Sequence, residues 1–120
     1  MSECVIADFF DYTEPVAKKA HRCCECFAPI LKGEKHFKGW GRWEFGAATY
    51  RQHLLCMEAC MLIRDNFNGG DCIAFGALKE EFSEMRWQYD RARDKHKPWW
   101  VKLRKLMAQI RWRERKSKRA

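Results

Sequence analysis

Two short motifs constrain this chain most: Cys23-Cys24-Glu25-Cys26 and His53-Leu54-Leu55-Cys56, with 26 residues between them. Thiolates and a neutral imidazole are preferred ligands of tetrahedral Zn²⁺, and a two-residue gap lets one tight turn direct both side chains at the same ion. Two such pairs complete a four-ligand shell. The spacing therefore predicts a structural Zn²⁺ site formed by Cys23, Cys26, His53 and Cys56.

The remaining cysteines leave the ligand set open at one point. Cys60 follows Cys56 by four residues, so a helix would place both on one face, and a Cys56–Cys60 pair can replace the pair that contains His53. The alternative role for Cys60 is a thiol in the core. We expect Cys24 to be a free or packed thiol, and Cys4 and Cys72 to act as small hydrophobic residues.

A disulfide framework fits the cysteines less well than a metal site. The chain has 7 cysteines, an odd number, and residues 1–8 lack the basic start and the apolar core of a signal peptide. No apolar run approaches the roughly 20 residues that cross a bilayer. We therefore expect a protein of the reducing cytoplasm, with no membrane partner.

Charge is divided unevenly along the chain. Residues 1–85 contain 10 Lys or Arg and 13 Asp or Glu, whereas residues 86–120 contain 14 and 3, so the net charge of +8 combines −3 with +11. The basic character belongs to the C-terminal segment, and an anionic partner is expected to meet the protein there.

The aromatic stretch between the two cysteine motifs predicts a β-hairpin. Residues 34–40 and 42–50 carry strand-favouring aromatic side chains, and the turn is expected at Gly39-Trp40-Gly41. The apolar density after His53 predicts a buried helix that ends near residues 66–70, where Asn and Gly residues cluster. A cysteine turn, a hairpin and a helix that carries the second ligand pair are the elements of a treble clef; a zinc ribbon would place that pair on another hairpin.

Two further helices are expected after this module. The first, over residues 71–95, has Asp71 as its cap and an apolar stripe. The second, over residues 98–115, has Pro98 in its first turn. The stripe consists of Phe75, Leu78, Phe82, Met85 and Tyr89, and the apolar side of the last helix consists of Trp99, Leu103, Leu106, Met107 and Ile110, with Trp100 at its margin.

The predicted fold is α+β, in three segments. Residues 1–20 are expected to form a partly ordered N-terminal arm, residues 21–70 the treble-clef zinc module, and residues 71–120 a helical extension with a basic tail.

Four stretches together resemble small zinc-binding proteins encoded by bacteriophages and prophages. They are AHRCCEC at 20–26, ILKGEK at 30–35, the aromatic residues around 40–50, and YRQHLLC at 50–56. The resemblance spans about residues 17–66. It implies a phage origin, and hence a bacterial host cytoplasm, but no biochemical activity. The basic region from residue 71 onward lies outside it.

Nucleic-acid binding is the predicted function, because Lys and Arg neutralise phosphates while an exposed Trp stacks on unpaired bases. The sequence leaves DNA, RNA, base specificity and oligomeric state open. The residues expected to make these contacts are Lys102, Arg104, Lys105, Arg111, Trp112, Arg113 and Arg115.

The alternative function is a phage inhibitor or adaptor that binds a host protein, such as a defence or nucleic-acid-processing complex, since exposed Trp and Arg dominate many protein interfaces. An enzyme is not expected. His36 lies where treble-clef nucleases place a catalytic histidine, but it lacks the partner residues, and the four zinc positions are filled. We expect His36 on a strand surface, and His21 and His96 in solvent-facing basic loops.

Overall fold

The computed structural model describes residues 9–66, 75–89 and 97–119, and it confirms an α+β fold. A three-stranded antiparallel sheet has the order β1-β4-β5, and a two-stranded sheet pairs β2 with β3. The strands are β1 (Phe9–Thr13), β2 (His21–Arg22), β3 (Pro29–Ile30), β4 (His36–Trp43) and β5 (Gly46–His53), and the helices are α1 (Leu54–Asn66), α2 (Leu78–Tyr89) and α3 (Pro98–Arg119). None of the helices in the described ranges combines the length and apolarity that a bilayer requires.

The predicted hairpin is confirmed as β4 and β5, but the prediction of its turn at Gly39-Trp40-Gly41 is wrong. The strands pair from His36 opposite His53 to Trp43 opposite Gly46, so the chain reverses at Glu44-Phe45. Gly46 has a φ of +118°, in a region that favours glycine. The glycines assigned to the turn lie within β4. A Cβ at Gly39 would come within 3.0 Å of the Phe10 ring, so this glycine makes room for an aromatic side chain.

The first described residues also differ from the expected arm. Phe9–Thr13 forms β1, which runs antiparallel along β4 with Thr13 opposite Lys38. Its Tyr12 ring stacks on Phe37 at a centroid distance of 5.5 Å. The short acidic and aromatic stretch gave no local indication of this pairing, because its partner strand lies more than twenty residues further along the chain.

The helix predicted after His53 is confirmed as α1. It starts at Leu54, directly after β5, and ends at Asn66, whose side-chain amide donates a hydrogen bond to the Leu62 carbonyl. The residues expected to stop it at positions 67–70 lie outside the described part of the chain. Cys56 is the third residue of α1 and so lies in its first turn, close to His53 at the end of β5.

The second predicted helix begins at Leu78, because residues 75–77 are not helical, so its predicted start at residue 71 with Asp71 as the cap is wrong. Residues 90–95, where it was expected to end, lie outside the described ranges. Leu78, Phe82 and Met85 are buried, as the stripe predicts. Phe75 precedes the helix instead of belonging to it, and its ring stacks on Tyr50 at 4.3 Å.

The last helix, α3, is confirmed and packs chiefly against α1. Its buried centre is Trp100, which is fully buried and stacks on Phe82 at 5.4 Å, whereas Trp99 is only half-buried. The expectation that Trp100 lies at the margin was therefore wrong. One core cluster joins Ala17 to Cys56 and Trp100, so all three predicted segments contribute to the same interior.

Candidate metal centre

The structure brings together the four residues that the motifs predict. Cys23 and Cys26 lie in the turn between β2 and β3, His53 ends β5, and Cys56 lies in the first turn of α1. All four are buried, and their ligand atoms lie within 4.8 Å of one another. This Cys₃His cluster can hold a metal ion.

Backbone hydrogen bonds hold the first pair in place. The Cys23 amide donates to the Ala28 carbonyl at 3.1 Å, and the Phe27 amide donates to the Cys23 carbonyl at 3.0 Å. Phe27 adopts a φ of 63°, which closes the turn. The Glu25 amide points at the Cys23 Sγ from 3.4 Å, an arrangement that stabilises a thiolate.

The second pair is oriented by a hydrogen bond on the far side of the imidazole. His53 Nε2 lies 3.0 Å from the Pro29 carbonyl oxygen and donates to it. That bond selects the tautomer with an unprotonated Nδ1, which lies 3.3 Å from the Cys26 Sγ and 4.0 Å from the Cys56 Sγ. The lone pair of Nδ1 is thus directed into the cluster.

The pKa values of the Cys23 and Cys56 thiols are shifted in opposite directions. Hydrogen bonds from Cys26 and Cys56 lower the pKa of Cys23, while hydrogen bonding to Cys23 and Cys26, together with burial, raises the pKa of Cys56. Burial lowers the pKa of His53, but hydrogen bonds to Cys23 and Cys26 outweigh it and raise that pKa to about 10. A proton on Nδ1 therefore competes with a metal ion for the same lone pair, and metal binding at this cluster releases protons.

Cys60, the alternative ligand, is not part of this cluster. Its Sγ lies 3.9 Å from the Gln52 amide and 4.0 Å from Glu25 Oε1. Burial raises the pKa of its thiol, which disfavours the thiolate that a metal requires. One turn of α1 carries Cys60 past the cluster, so the geometry favours the set with His53.

Two further predictions concern cysteines that were not expected to bind the metal. Cys24 is a half-buried free thiol, and its amide donates to the Arg51 carbonyl at 2.9 Å. Burial raises the pKa of Cys24, which fits a packed thiol. Cys4 and Cys72 lie outside the described residues.

Glu25 is the principal residue that the sequence did not reveal. It lies between the first two candidate ligands and is buried. Its carboxylate accepts hydrogen bonds from the Gly76 amide at 2.7 Å, from the Leu78 amide at 3.2 Å and from the Gln52 side chain at 3.1 Å. Burial raises its pKa, and these hydrogen bonds act against that rise. Glu25 therefore caps the start of α2 from a distant part of the chain.

We expect Glu25→Ala to lower the free energy of unfolding by about 2–4 kcal/mol, because two backbone amides and the Gln52 amide lose a buried acceptor. Urea denaturation measures the change, with Glu44→Ala on the exposed hairpin turn as the control. The metal content should not change, because Glu25 is not one of the four clustered residues. Unfolding at wild-type urea concentration would contradict this capping role.

His36 is buried, not on a strand surface as expected. Arg51 Nη1 donates to its Nε2 at 2.7 Å, and its Nδ1 lies 3.3 Å from the Glu34 carbonyl oxygen, to which it donates. The His21 ring is half-buried at 5.8 Å from His36, and His96 lies outside the described ranges. His36 therefore acts as a bridge that positions Arg51.

The predicted phosphate-contacting residues have different surroundings on α3. Lys105, Arg111 and Arg115 are exposed, as is Arg104. Lys102 lies 3.3 Å from Glu58 of α1, in a pair that solvent largely surrounds. Trp112 is 62% exposed, and the Lys116 ammonium lies 5.1 Å from its ring centroid.

Arg113 has a structural partner, unlike its predicted role as a phosphate contact. Its guanidinium lies 2.7 Å from Glu34 Oε2, and both side chains are largely covered. Burial acts to raise the pKa of Glu34, but the hydrogen bond from Arg113 and the one from the Leu31 amide bring it below its ordinary value. Arg113 thus ties the end of α3 to the segment before β4.

No protein-family model, curated protein or solved structure matches this chain.

Proposed function

We propose that the chain is a nucleic-acid-binding protein in which a structural Zn²⁺ holds a treble-clef module and α3 presents the binding face. The observation that carries this proposal is the charge of the exposed side of α3. Among the described residues of this helix the only carboxylate is Glu114, and Lys79 of α2 pairs with it at 2.7 Å.

The distances in the cluster support zinc. With Zn–S bonds of about 2.3 Å and a Zn–N bond of about 2.0 Å, tetrahedral angles separate two sulfurs by about 3.8 Å and a sulfur from a nitrogen by about 3.5 Å. The Cys23 and Cys56 sulfurs are 3.7 Å apart and the Cys26 sulfur is 3.3 Å from His53 Nδ1, close to these values, whereas Cys56 Sγ lies 4.0 Å from His53 Nδ1 and all four ligand atoms lie within 4.8 Å of one another. Four protein ligands leave no position for a reacting water, so we assign the ion a structural role and propose no catalysis.

The order of the elements supports a treble clef. The cysteine turn lies between β2 and β3, the hairpin β4–β5 follows, and α1 begins immediately after His53. A zinc ribbon would need the second pair on a hairpin, whereas here Cys56 lies on a helix. Thiolate ligands require reduced cysteines, so we propose a cytoplasmic setting, that of a bacterial host if the resemblance to phage-encoded zinc proteins holds.

The exposed side of α3 has the dimensions and chemistry of a phosphate-binding surface. Its 22 residues extend about 33 Å, close to one turn of duplex DNA. Lys105 and Arg115 project from this side, and the exposed Trp112 offers a ring on which an unpaired base can stack. Each cation that meets a phosphate releases condensed counterions, which makes the affinity depend on salt.

A salt series tests the proposal. Binding to labelled duplex and single-stranded DNA and RNA is measured by fluorescence anisotropy from low to moderate salt. We expect the logarithm of the association constant to fall linearly with the logarithm of the salt concentration, with a slope near 0.9 for each neutralised phosphate on a duplex. No binding to any of these nucleic acids at low salt would overturn the proposal and favour a host protein as the partner.

A further inference from the structure

A second basic surface is formed by residues outside α3, in the part of the chain whose net charge is negative. The segment from Pro15 to Lys19 and the adjoining face of β4 and β5 enclose a concavity of about 420 Å³. We call it the basic pocket. Its charged lining residues are Lys18, Lys19, Lys38 and Arg51, together with His21, and none of the described residues that line it is a carboxylate.

The pairing of β4 with β5 brings two of these positive charges close together, which is unfavourable. Lys38 and Arg51 are direct cross-strand partners, and like charges in that position destabilise a sheet. Within the described residues, no carboxylate forms a salt bridge with either of them or with Lys18 or Lys19. An anion bound in the pocket would neutralise this concentration of positive charge.

A hydrogen bond to His36 fixes the Arg51 guanidinium in a position where it can bind an anion. It is half-buried, and its Nη1 donates to the fully buried His36 at 2.7 Å. His36 is itself held by the Glu34 carbonyl, and the Arg51 carbonyl accepts the Cys24 amide. One guanidinium nitrogen of Arg51 is thus hydrogen-bonded within the protein, and Arg51 lines the basic pocket. A planar guanidinium held in this way suits the oxygens of a phosphate.

The shape and the charge together indicate the class of ligand. A phosphate monoester carries about −1.5 to −2 charge at neutral pH and three acceptor oxygens, whereas an internal phosphodiester carries −1. A concave site with four cations fits the terminal phosphate of a ligand better than an internal phosphodiester of a nucleic-acid backbone. The Trp40 ring lies beside the Lys38 ammonium, 5.6 Å from its centroid, next to the pocket.

We propose that the basic pocket binds a phosphate monoester, either that of a free nucleotide or that at the 5′ end of an oligonucleotide. The proposal does not depend on the role of α3, because the two surfaces share no residue. If both hold, the pocket gives the nucleic-acid-binding protein a preference for phosphorylated ends.

Titration calorimetry and amide NMR test the proposal on the zinc-loaded protein. The probes are inorganic phosphate, a nucleoside 5′-monophosphate, and one short oligonucleotide with either a 5′-phosphate or a 5′-hydroxyl. We expect shifts of the Lys38 and Arg51 amides, and about a tenfold or greater loss of affinity in Lys18→Gln/Lys19→Gln. These two side chains are exposed, so the double variant should fold. Lys38→Gln is a second test within the pocket.

The matched control is Lys32→Gln/Lys35→Gln, which removes the same charge from exposed positions outside the pocket. Tighter binding of the 5′-phosphorylated oligonucleotide, lost in the pocket variant, identifies an oligonucleotide end as the source. Equal affinity for the nucleoside monophosphate identifies a free nucleotide. No binding of any monoester at millimolar concentration, or the same loss in the pocket and control variants, would overturn the proposal. Neutralisation of α3 should leave monoester binding intact, which separates this test from that of the proposed function.

Discussion

Removal of the proposed Zn²⁺ is expected to abolish cooperative folding of this protein, and Cys26→Ser should have nearly the same effect. The cluster joins the β2–β3 turn, the end of β5 and the start of α1, and three of its members belong to the core. Binding of Zn²⁺ to small structural sites contributes about 10–16 kcal/mol, which is comparable to or larger than the whole net stability of a domain, about 5–15 kcal/mol. Thermal melts followed by circular dichroism, with and without a strong chelator, measure the loss.

Cys60→Ser is the matched control for this prediction. Cys60 is the cysteine nearest in the chain to Cys56, but it lies outside the cluster, so its substitution should retain one zinc ion per chain. Elemental analysis checks the stoichiometry of each variant. The ligand assignment would be wrong if Cys60→Ser lost the metal while Cys56→Ser kept it, and a wild-type melting temperature for Cys26→Ser would remove the structural role of the ion.

Neutralisation of the exposed side of α3 is expected to weaken nucleic-acid binding by roughly 100-fold or more at low salt. The variant is Lys105→Gln/Arg111→Gln/Arg115→Gln, in which each lost contact removes about 1 kcal/mol or more. On a duplex, the slope of the logarithm of the association constant against the logarithm of the salt concentration should decrease in magnitude by about 2–3 units, about one unit for each lost contact. Because these three side chains are exposed and form no ion pair within the described residues, stability and zinc content should be unchanged.

The control variant is Lys32→Gln/Lys35→Gln/Arg42→Gln, which removes the same formal charge from exposed positions on the other part of the chain. A general electrostatic attraction would weaken equally in both triple variants. The specific proposal requires that the α3 variant lose much more affinity and that its slope change more. Full affinity in the α3 variant would remove this helix from the interface.

The features that the sequence predicted correctly depend on contacts between near neighbours. Two residues separate Cys23 from Cys26 and His53 from Cys56, so a turn and the first turn of a helix are enough to bring each pair together. α1 follows in the same way from the apolar residues after His53 and from the Asn at its end. The buried residues of α2 at Leu78, Phe82 and Met85 follow from helical periodicity.

The features that the sequence did not predict depend on partners far away in the chain. The turn of the hairpin was predicted at the glycines, but Gly39 is needed where the Phe10 ring crosses β4, which only the pairing of β1 reveals. Trp99 and Trp100 are adjacent and equally apolar, and the position of Phe82 on another helix decides that Trp100 is the buried one.

Residue type and local spacing are enough to predict the candidate metal ligands, the helix after His53, the last helix and the basic C-terminal segment. The packing of the folded chain sets the position of Cys60 beside Glu25, the ion pair of Arg113 with Glu34, and the meeting of Lys38 and Arg51 across two strands beside the basic pocket. Each of these contacts joins residues from different elements. Their partners are set by how the sheet and helices pack around one core, and no local pattern encodes that arrangement.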